Sequence, residues 1–401
     1  MTSSLDAQPI RELIDDCVNQ ARQLTGRQSQ PKVVVSPYRF NPLGAHIDHQ
    51  GGQVLARCLN QYTVLCFWPA RELASVVYAR INNGDWQHTR FLPVETEDEF
   101  GWDSMARASS AALYDFSTLE TGFEAVVFGT MVSCGLSSSA SVILAYLSAL
   151  ADVNNIDLSS EELVELSRRV ENDYRGLNNG IQDQMSIVFG QQEHIVKLDV
   201  ENVTALSIKD PSLSDRYRFL MCYSGVSRDL GGSPFNTRVA ECQQAAEILH
   251  PGAKHLGEVP AQCREQVMLD ELPEPIAGRA KHVFSEMARV EEGAKAWQEG
   301  NISRFGQLMN ESCQSSIHHY ESGSEWLIAL HEIARDIPGV HGNRFSGGGY
   351  GGCLFMLVDS DKVEAIADTL LSKYLERYPD LQGIAKVLIA ESESTVRVIQ
   401  P

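Results

Sequence analysis

The order of apolar and polar positions predicts a chain of mixed helices and strands. Residues 8–24 (QPIRELIDDCVNQARQL) read as an amphipathic helix. Lys32–Ser36 (KVVVS) is a β-branched run, hence a short strand, with Pro37 as its expected end. Strand-like runs recur over 53–68 and 74–81, and Ala125–Phe128 (AVVF) is another. Val142–Ala151 (VILAYLSALA) is apolar enough for a buried helix. Ser159–Tyr174 is the clearest helix: Ser159 and Glu162 fit a capping box, and Leu163, Leu166, Val170 and Tyr174 form one apolar stripe. Phe219–Ser224, Cys353–Val358 and Thr395–Ile399 read as strands, and helices fill much of 236–250, 275–300, 325–336 and 361–377. Strand-rich sequence followed by alternating elements predicts an α+β protein in two halves, with one domain over 1–200 and a second over 201–401.

Composition narrows the function more than the fold. With 401 residues, 43% of them hydrophobic, the chain has room for two domains with ample core. It carries 53 acidic against 33 basic residues, a formal net charge of −20. That excludes a broad basic face for nucleic acid, and equally adhesion to an anionic membrane. An anionic ligand would have to be met locally, by a few cations and backbone N–H groups. Nine cysteines at scattered spacing, with no C-x-x-C, argue against a disulfide framework or a zinc ribbon. There is no basic region followed by an apolar stretch at the N-terminus, and no run of ~18 apolar residues. The expectation is a cytoplasmic protein. No P-loop lysine motif, G-x-S-x-G or H-E-x-x-H occurs, which weakens P-loop, α/β-hydrolase and zincin readings.

Four segments carry candidate chemistry. In Ser36–Gly52 (SPYRFNPLGAHIDHQGG) an apolar strand delivers Arg39 and Asn41, then His46, Asp48 and His49 in one turn-rich stretch. A solvated turn with a structural Arg–Asp pair would explain it, as would a ligand site. Ser133–Ser141 (SCGLSSSAS) lies between a strand and an apolar helix, where the first N–H groups of the helix lack partners and favour an anion. One serine would suffice for capping; three after Gly-Leu favour a phosphate site. Phe345–Gly352 (FSGGGYGG) contains G-x-G-x-x-G, but it opens an apolar strand instead of following one. A turn packed closely against a ligand or another loop fits better. Asn178–Gln184 (NNGIQDQ) places Asp183 in a glycine-containing turn after the helix that carries Glu171.

In this order the segments resemble the GHMP family of small-molecule kinases, and within it the galactokinase branch. The sugar signature of that branch, roughly G-R-x-N-L-I-G-E-H-T-D-Y, corresponds to Tyr38–His49; the phosphate loop G-L-S-S-S-A-S is intact at 135–141. The catalytic turn C-G-I-M-D-Q corresponds to 179–184, and the glycine motif G-G-G-F-G-G to 347–352, with Tyr350 for Phe. The resemblance implies a two-domain α+β fold with the active site in the cleft between domains, and ATP and Mg²⁺ as cofactors. It implies that Asp183 is the catalytic carboxylate and that Arg39 stabilises it. Ser133, Gly135, Leu136, Ser137, Ser138 and Ser139 would hold the triphosphate, and Trp102 would sit near the adenine. Ser139 and Glu171 would bind Mg²⁺. His46, Asp48 and Gly180 would contact the sugar. The expected partners are a small sugar and ATP.

Departures from the pattern bear on the substrate. Galactokinases carry Glu before the signature His, facing the C6 hydroxyl; here that residue is Ala45. A Glu opposite a C6 carboxylate would cost ~4 kcal/mol at 4 Å with an effective dielectric near 20. Alanine removes that repulsion, and GAHIDHQGG is similar to the signature of galacturonokinases, which phosphorylate D-galacturonate at C1. Phe235 stands where galactokinases usually have a sugar-contacting Tyr. Arg228 and Arg238, in the same segment, are candidate cations for a sugar carboxylate. A galactokinase, a kinase of another C6-modified sugar, and a non-catalytic sensor of sugar and ATP are the alternatives.

Overall fold

The structure, a computed structural model, describes residues 8–80, 84–94, 101–131, 134–176, 180–211, 216–227, 235–264 and 271–401. Two sheets organise it. The larger runs β12-β1-β2-β5-β3-β4, with β6 joined to β2 and β7 to β6. Its strands are β1 (Lys32–Leu43), β2 (Val54–Pro69), β3 (Ser75–Arg80), β4 (Trp86–Phe91), β5 (Phe123–Gly129), β6 (His194–Asp199), β7 (Thr204–Lys209) and β12 (Arg397–Ile399). The smaller, antiparallel sheet runs β11-β8-β10-β9, from β8 (Tyr217–Tyr223), β9 (Val340–Phe345), β10 (Cys353–Asp359) and β11 (Lys386–Ile389).

The continuous apolar run of β1 follows from burial on both faces. Val33 and Val35 pack with Ile14, Val18 and Ala21 of helix α1 (Ile10–Thr25). Val34 faces the other way, into a cluster with α2 (Ser104–Phe116) and α3 (Ser138–Val153). Beyond the valines, Phe40 stacks on Phe355 of β10, with ring centroids 4.1 Å apart, and meets Phe219 of β8 edge-on at 5.0 Å. These aromatics join the two sheets close to Arg39.

Two sequence expectations need correction. β1 does not stop at Pro37 but continues to Leu43; the pairing with β2 shifts register between Pro37 and Tyr38, and a bulge tolerates a residue with no N–H to donate. The helix expected over Ser159–Tyr174 has both hydrogen bonds of its capping box, Glu162 N–H to Ser159 Oγ at 3.1 Å and Ser159 N–H to Glu162 Oε2 at 2.8 Å. As α4 it ends at Arg169, however, and Val170–Tyr174 winds as a wider π-turn. That turn buries the adjacent Val170 and Glu171 together. β7 pairs with β6, and β12 with β1, in the first sheet.

The remaining helices are α5 (Gln182–Val188), α6 (Phe235–Leu249), α7 (Ile276–Gln298), α8 (Ile302–His318), α9 (Glu325–Arg335) and α10 (Val363–Arg377). α2 and α8 lie outside the helices expected from periodicity. Among the described residues no helix is long and apolar enough to cross a membrane.

Candidate active site

β1 carries Arg39 into the buried region between the sheets, where its side chain is 4% exposed. Its Nε and Nη2 donate to Asp183 Oδ1 at 2.9 and 2.6 Å. Nη1 reaches Ser346 Oγ at 3.2 Å and the Gly135 carbonyl at 3.4 Å. One guanidinium therefore ties together the first strand, the start of α5, the serine loop and the glycine loop. The other Asp183 oxygen accepts a hydrogen bond from the Ser137 hydroxyl.

That last contact changes the reading of the serine loop. Ser137 occupies the N-cap of α3, but its side chain caps nothing and points at Asp183 instead. Its backbone is left-handed, φ 59°, a strained setting for a residue with a Cβ. Gly135, φ 72°, packs against Ser346 and the glycine loop, and a Cβ on Gly352 would collide with the Cys134 carbonyl. The glycines of 347–352 thus serve close approach of two loops, as their position before a strand implied. Ser138 and Ser139 are half-buried at the first turn of α3. Ser133 lies outside the described residues. Trp102 is 36% exposed in the turn ahead of α2.

Glu171 is 2% exposed in the π-turn and accepts from Gln184 Nε2 at 2.7 Å. A buried carboxylate and a serine hydroxyl are hard oxygen donors of the kind Mg²⁺ takes, usually with phosphate and water completing the shell. Among the described residues no cluster of three or more His, Cys, Asp or Glu side chains could hold a metal on its own.

At the other end of the site, Gly44 and Ala45 have their backbone fixed from behind. Their N–H groups donate to Glu286 Oε1 at 2.8 and 3.1 Å, and the Ala45 carbonyl accepts from His282 Nε2 at 2.9 Å. With that nitrogen donating, His282 Nδ1 accepts from Ser315 Oγ, 2.9 Å away. Glu286 is fully buried. Burial alone would raise its pKa, but Arg289 (Nε to Oε2, 2.7 Å), the neighbouring cations and the Ser312 hydroxyl bring it down to about 2. Burial lowers His282 to about 4.

His46 is left-handed, φ 57°, and stacked on Tyr320 at 4.4 Å. Burial first, then the charges of His282 and Arg344, push its imidazole well below the usual histidine range, so it is neutral. Ser322 Oγ donates to the Ser316 carbonyl and so accepts from His46 Nε2, 3.1 Å away, which leaves Nδ1 as a hydrogen-bond acceptor. Burial raises Asp48, yet donors from His49 outweigh it and hold the carboxyl below its ordinary value. A Cβ on Gly180 would collide with Asp48 Oδ2, so this glycine is required by close approach.

Arg238 donates to Glu241 at 3.1 Å and to Glu321 at 3.1 Å, so its charge is already matched. Arg228 and the Phe235 side chain fall outside the described residues. Sequence reasoning missed Glu286, His282 and Arg344. A signal existed: Arg279, His282, Glu286 and Arg289 recur at helical spacing, a polar stripe on a helix whose other residues are largely buried.

Comparison with known proteins identifies the family of the chain. Residues 106–191 match the GHMP kinases N terminal domain, 294–377 the GHMP kinases C terminal domain, and 22–69 the galactokinase galactose-binding signature. The chain is 36% identical to the galacturonokinase of Arabidopsis thaliana, over 94% of this chain and 96% of that protein. It is 30% identical to the galactokinase of Roseiflexus sp. (strain RS-1), over 86% and 88%. Lactococcus lactis galactokinase, solved in complex with galactose, superposes with a TM-score of 0.88 at 28% identity, covering 96% of this chain and 99% of that one. The chain belongs to the GHMP kinases, with their two-domain α+β fold. Within that family it is a sugar kinase of the galactokinase type.

Proposed function

We propose that the protein is an ATP- and Mg²⁺-dependent kinase that phosphorylates the anomeric hydroxyl of D-galacturonate, yielding galacturonate 1-phosphate and ADP. The observation that carries the substrate is Ala45. Its backbone is pinned by Glu286 and His282, so the wall there is fixed in place and presents a methyl group instead of a carboxylate. A sugar acid can approach it without the repulsion a glutamate would impose. The likeness to the Arabidopsis galacturonokinase supports the same reading.

In this scheme the domains meet near residue 200, and the sugar lies between Arg39–Asp183 and the Ala45 wall. His46 Nδ1 accepts from one sugar hydroxyl, Asp48 accepts from others, and Gly180 lines the pocket. The serine loop, with the first N–H groups of α3 and the hydroxyls of Ser138 and Ser139, holds the triphosphate, and Trp102 borders the adenine. Ser139 and Glu171 hold Mg²⁺, which when bound offsets the charge of the phosphates. Asp183 takes the proton of the anomeric hydroxyl as its oxygen bonds to the γ-phosphorus and the bond to the bridging oxygen of ADP breaks. Arg39 keeps the carboxylate aimed and stabilises the developing charge.

The test is ADP release by the purified protein with galactose, galacturonate, glucuronate and N-acetylgalactosamine. Galacturonate should give the highest kcat/KM. A higher value with galactose refutes the substrate assignment.

A further inference from the structure

Four arginines are buried among the described residues: Arg39, Arg57, Arg279 and Arg344. Three have a carboxylate at 2.6 Å, namely Asp183 for Arg39, Asp210 for Arg57 and Glu241 for Arg279. Arg344 has none. It is 3% exposed, its one hydrogen bond runs from Nε to the neighbouring Phe345 carbonyl at 3.2 Å, and its Nη1 is buried without a partner. A buried cation left unmatched is costly, and a chain with 53 acidic residues had ample means to match it.

Its position explains the exception. Arg344 pairs across the smaller sheet with Phe355, the residue that stacks on Phe40, so its side chain lies on the face turned toward the first sheet. Phe345, next along, packs in the cluster on the opposite face. The groups acting on Arg344 include Glu286, Cys313, Arg39 and Arg289, and Arg344 in turn depresses His46 and His282. Of these, Glu286 and His282 hold the Ala45 backbone, Arg289 pairs with Glu286 and His46 follows Ala45 in the chain. Glu286 is matched by Arg289, and Arg39 by Asp183, which leaves one positive charge over beside the wall that lacks a carboxylate.

We propose that Arg344 is the cation that receives the C6 carboxylate of the sugar acid, pairing through its free guanidinium nitrogens. This rests on the galacturonate reading above. It replaces Arg238, whose charge is spent on Glu241 and Glu321. Arg and carboxylate match in shape as well as charge, so the same contact would fix the orientation of the sugar ring.

The experiment compares D-galacturonate with its neutral isostere D-galacturonamide in the full-length wild-type protein, Arg344→Gln and Arg344→Lys. The wild type should prefer the acid by ~30-fold or more in kcat/KM. Arg344→Gln should lose that preference through the acid alone, with the KM for ATP unchanged. Arg344→Lys should lose roughly tenfold on the acid and little on the amide, because a point charge replaces the planar fork. An unchanged acid-to-amide ratio, an equal fall for both sugars, or a rise only in the KM for ATP overturns the assignment. The last of these would place Arg344 against the nucleotide phosphates. If Arg344→Gln does not fold, the Lys variant decides by the same ratio. A wild type that prefers galactose over galacturonate fails the substrate reading, and this inference with it. A wild type that prefers the acid, with variants that keep the preference, fails this inference alone.

Discussion

Around Asp183 the functional side chains face one another across the opening between the sheets; around Ala45 they stand behind the backbone and hold it. Asp183, with its side chain 31% exposed, meets Arg39 and Ser137 directly. Glu286 and His282 are fully buried and hydrogen-bond the amides of residues 44 and 45 and the carbonyl of Ala45, with the buried Ser312 donating to Glu286 from behind. The first end thus sets a partly exposed carboxylate against a buried arginine, whereas at the second a buried carboxylate holds the backbone of residues 44 and 45. Changes at the first end should stop turnover, and changes at the second should redirect or loosen binding.

The largest effect is expected at the first end. Asp183→Asn should lower turnover ~10²–10⁴-fold while circular dichroism and sugar binding are retained; undiminished turnover would remove Asp183 as the base. Ala45→Glu should lower kcat/KM for galacturonate by up to ~10³-fold, the equivalent of about 4 kcal/mol, and leave galactose no worse. No change with galacturonate would sink the charge argument. Glu286→Gln keeps an acceptor for the two amides but strips the partner from Arg289. It should cost about 3 kcal/mol of stability by denaturant titration and raise the KM for the sugar roughly tenfold, with that for ATP steady. Equal changes in both KM values would mean that the buried carboxylate supports the whole site.

The smallest effect is a slope with pH. His282 sits at about 4 against an ordinary 6.5, because burial favours its neutral form. The unfolded chain therefore binds the proton first on acidification. Stability from this group is complete above pH 6.5 and is lost as pH falls towards 4, and His46 acts in the same direction. Glu286, held at about 2 against 4.5, adds a loss that begins only below pH 4.5. Tm should fall between pH 7 and 4, and His282→Gln should flatten that fall. An unaltered slope in the variant would show that other groups carry it.

Legibility in the sequence divides along the same line. The phosphoryl end is made of contiguous runs, GLSSSAS, GIQDQ and GGGYGG, whose local chemistry needs no partner to be recognised. The capping box of Ser159 and Glu162 is legible for the same reason. The sugar end is assembled by tertiary contact. Helix α8 hides from periodicity because Ser312, Cys313, Ser315 and Ser316 form much of its buried face, and Gly306 lies against the backbone of His341. Glu286 and Arg289 read as an ordinary i,i+3 surface pair until α7 is seen packed against residues 43–45. Arg344 is next to last in a short polar strand, VHGNRF, whose sequence does not reveal which face turns toward the first sheet. The π-turn at Val170–Tyr174 is likewise invisible in a stripe that reads as continuous α-helix.

The strand that carries Arg39 also bears on how the protein is made. Val33, Val34 and Val35 pair with Ile399, Val398 and Arg397, more than 350 residues further along. At ~5–20 residues per second a ribosome needs roughly 20–70 s to travel from Leu43 to that partner. Throughout that interval β1 presents an apolar, unpaired edge of the kind that recruits foreign strands. Biogenesis, and with it the need for chaperone cover, is therefore timed by the arrival of three residues far along the chain, and Arg39 stands on a strand whose outer edge is sealed only then.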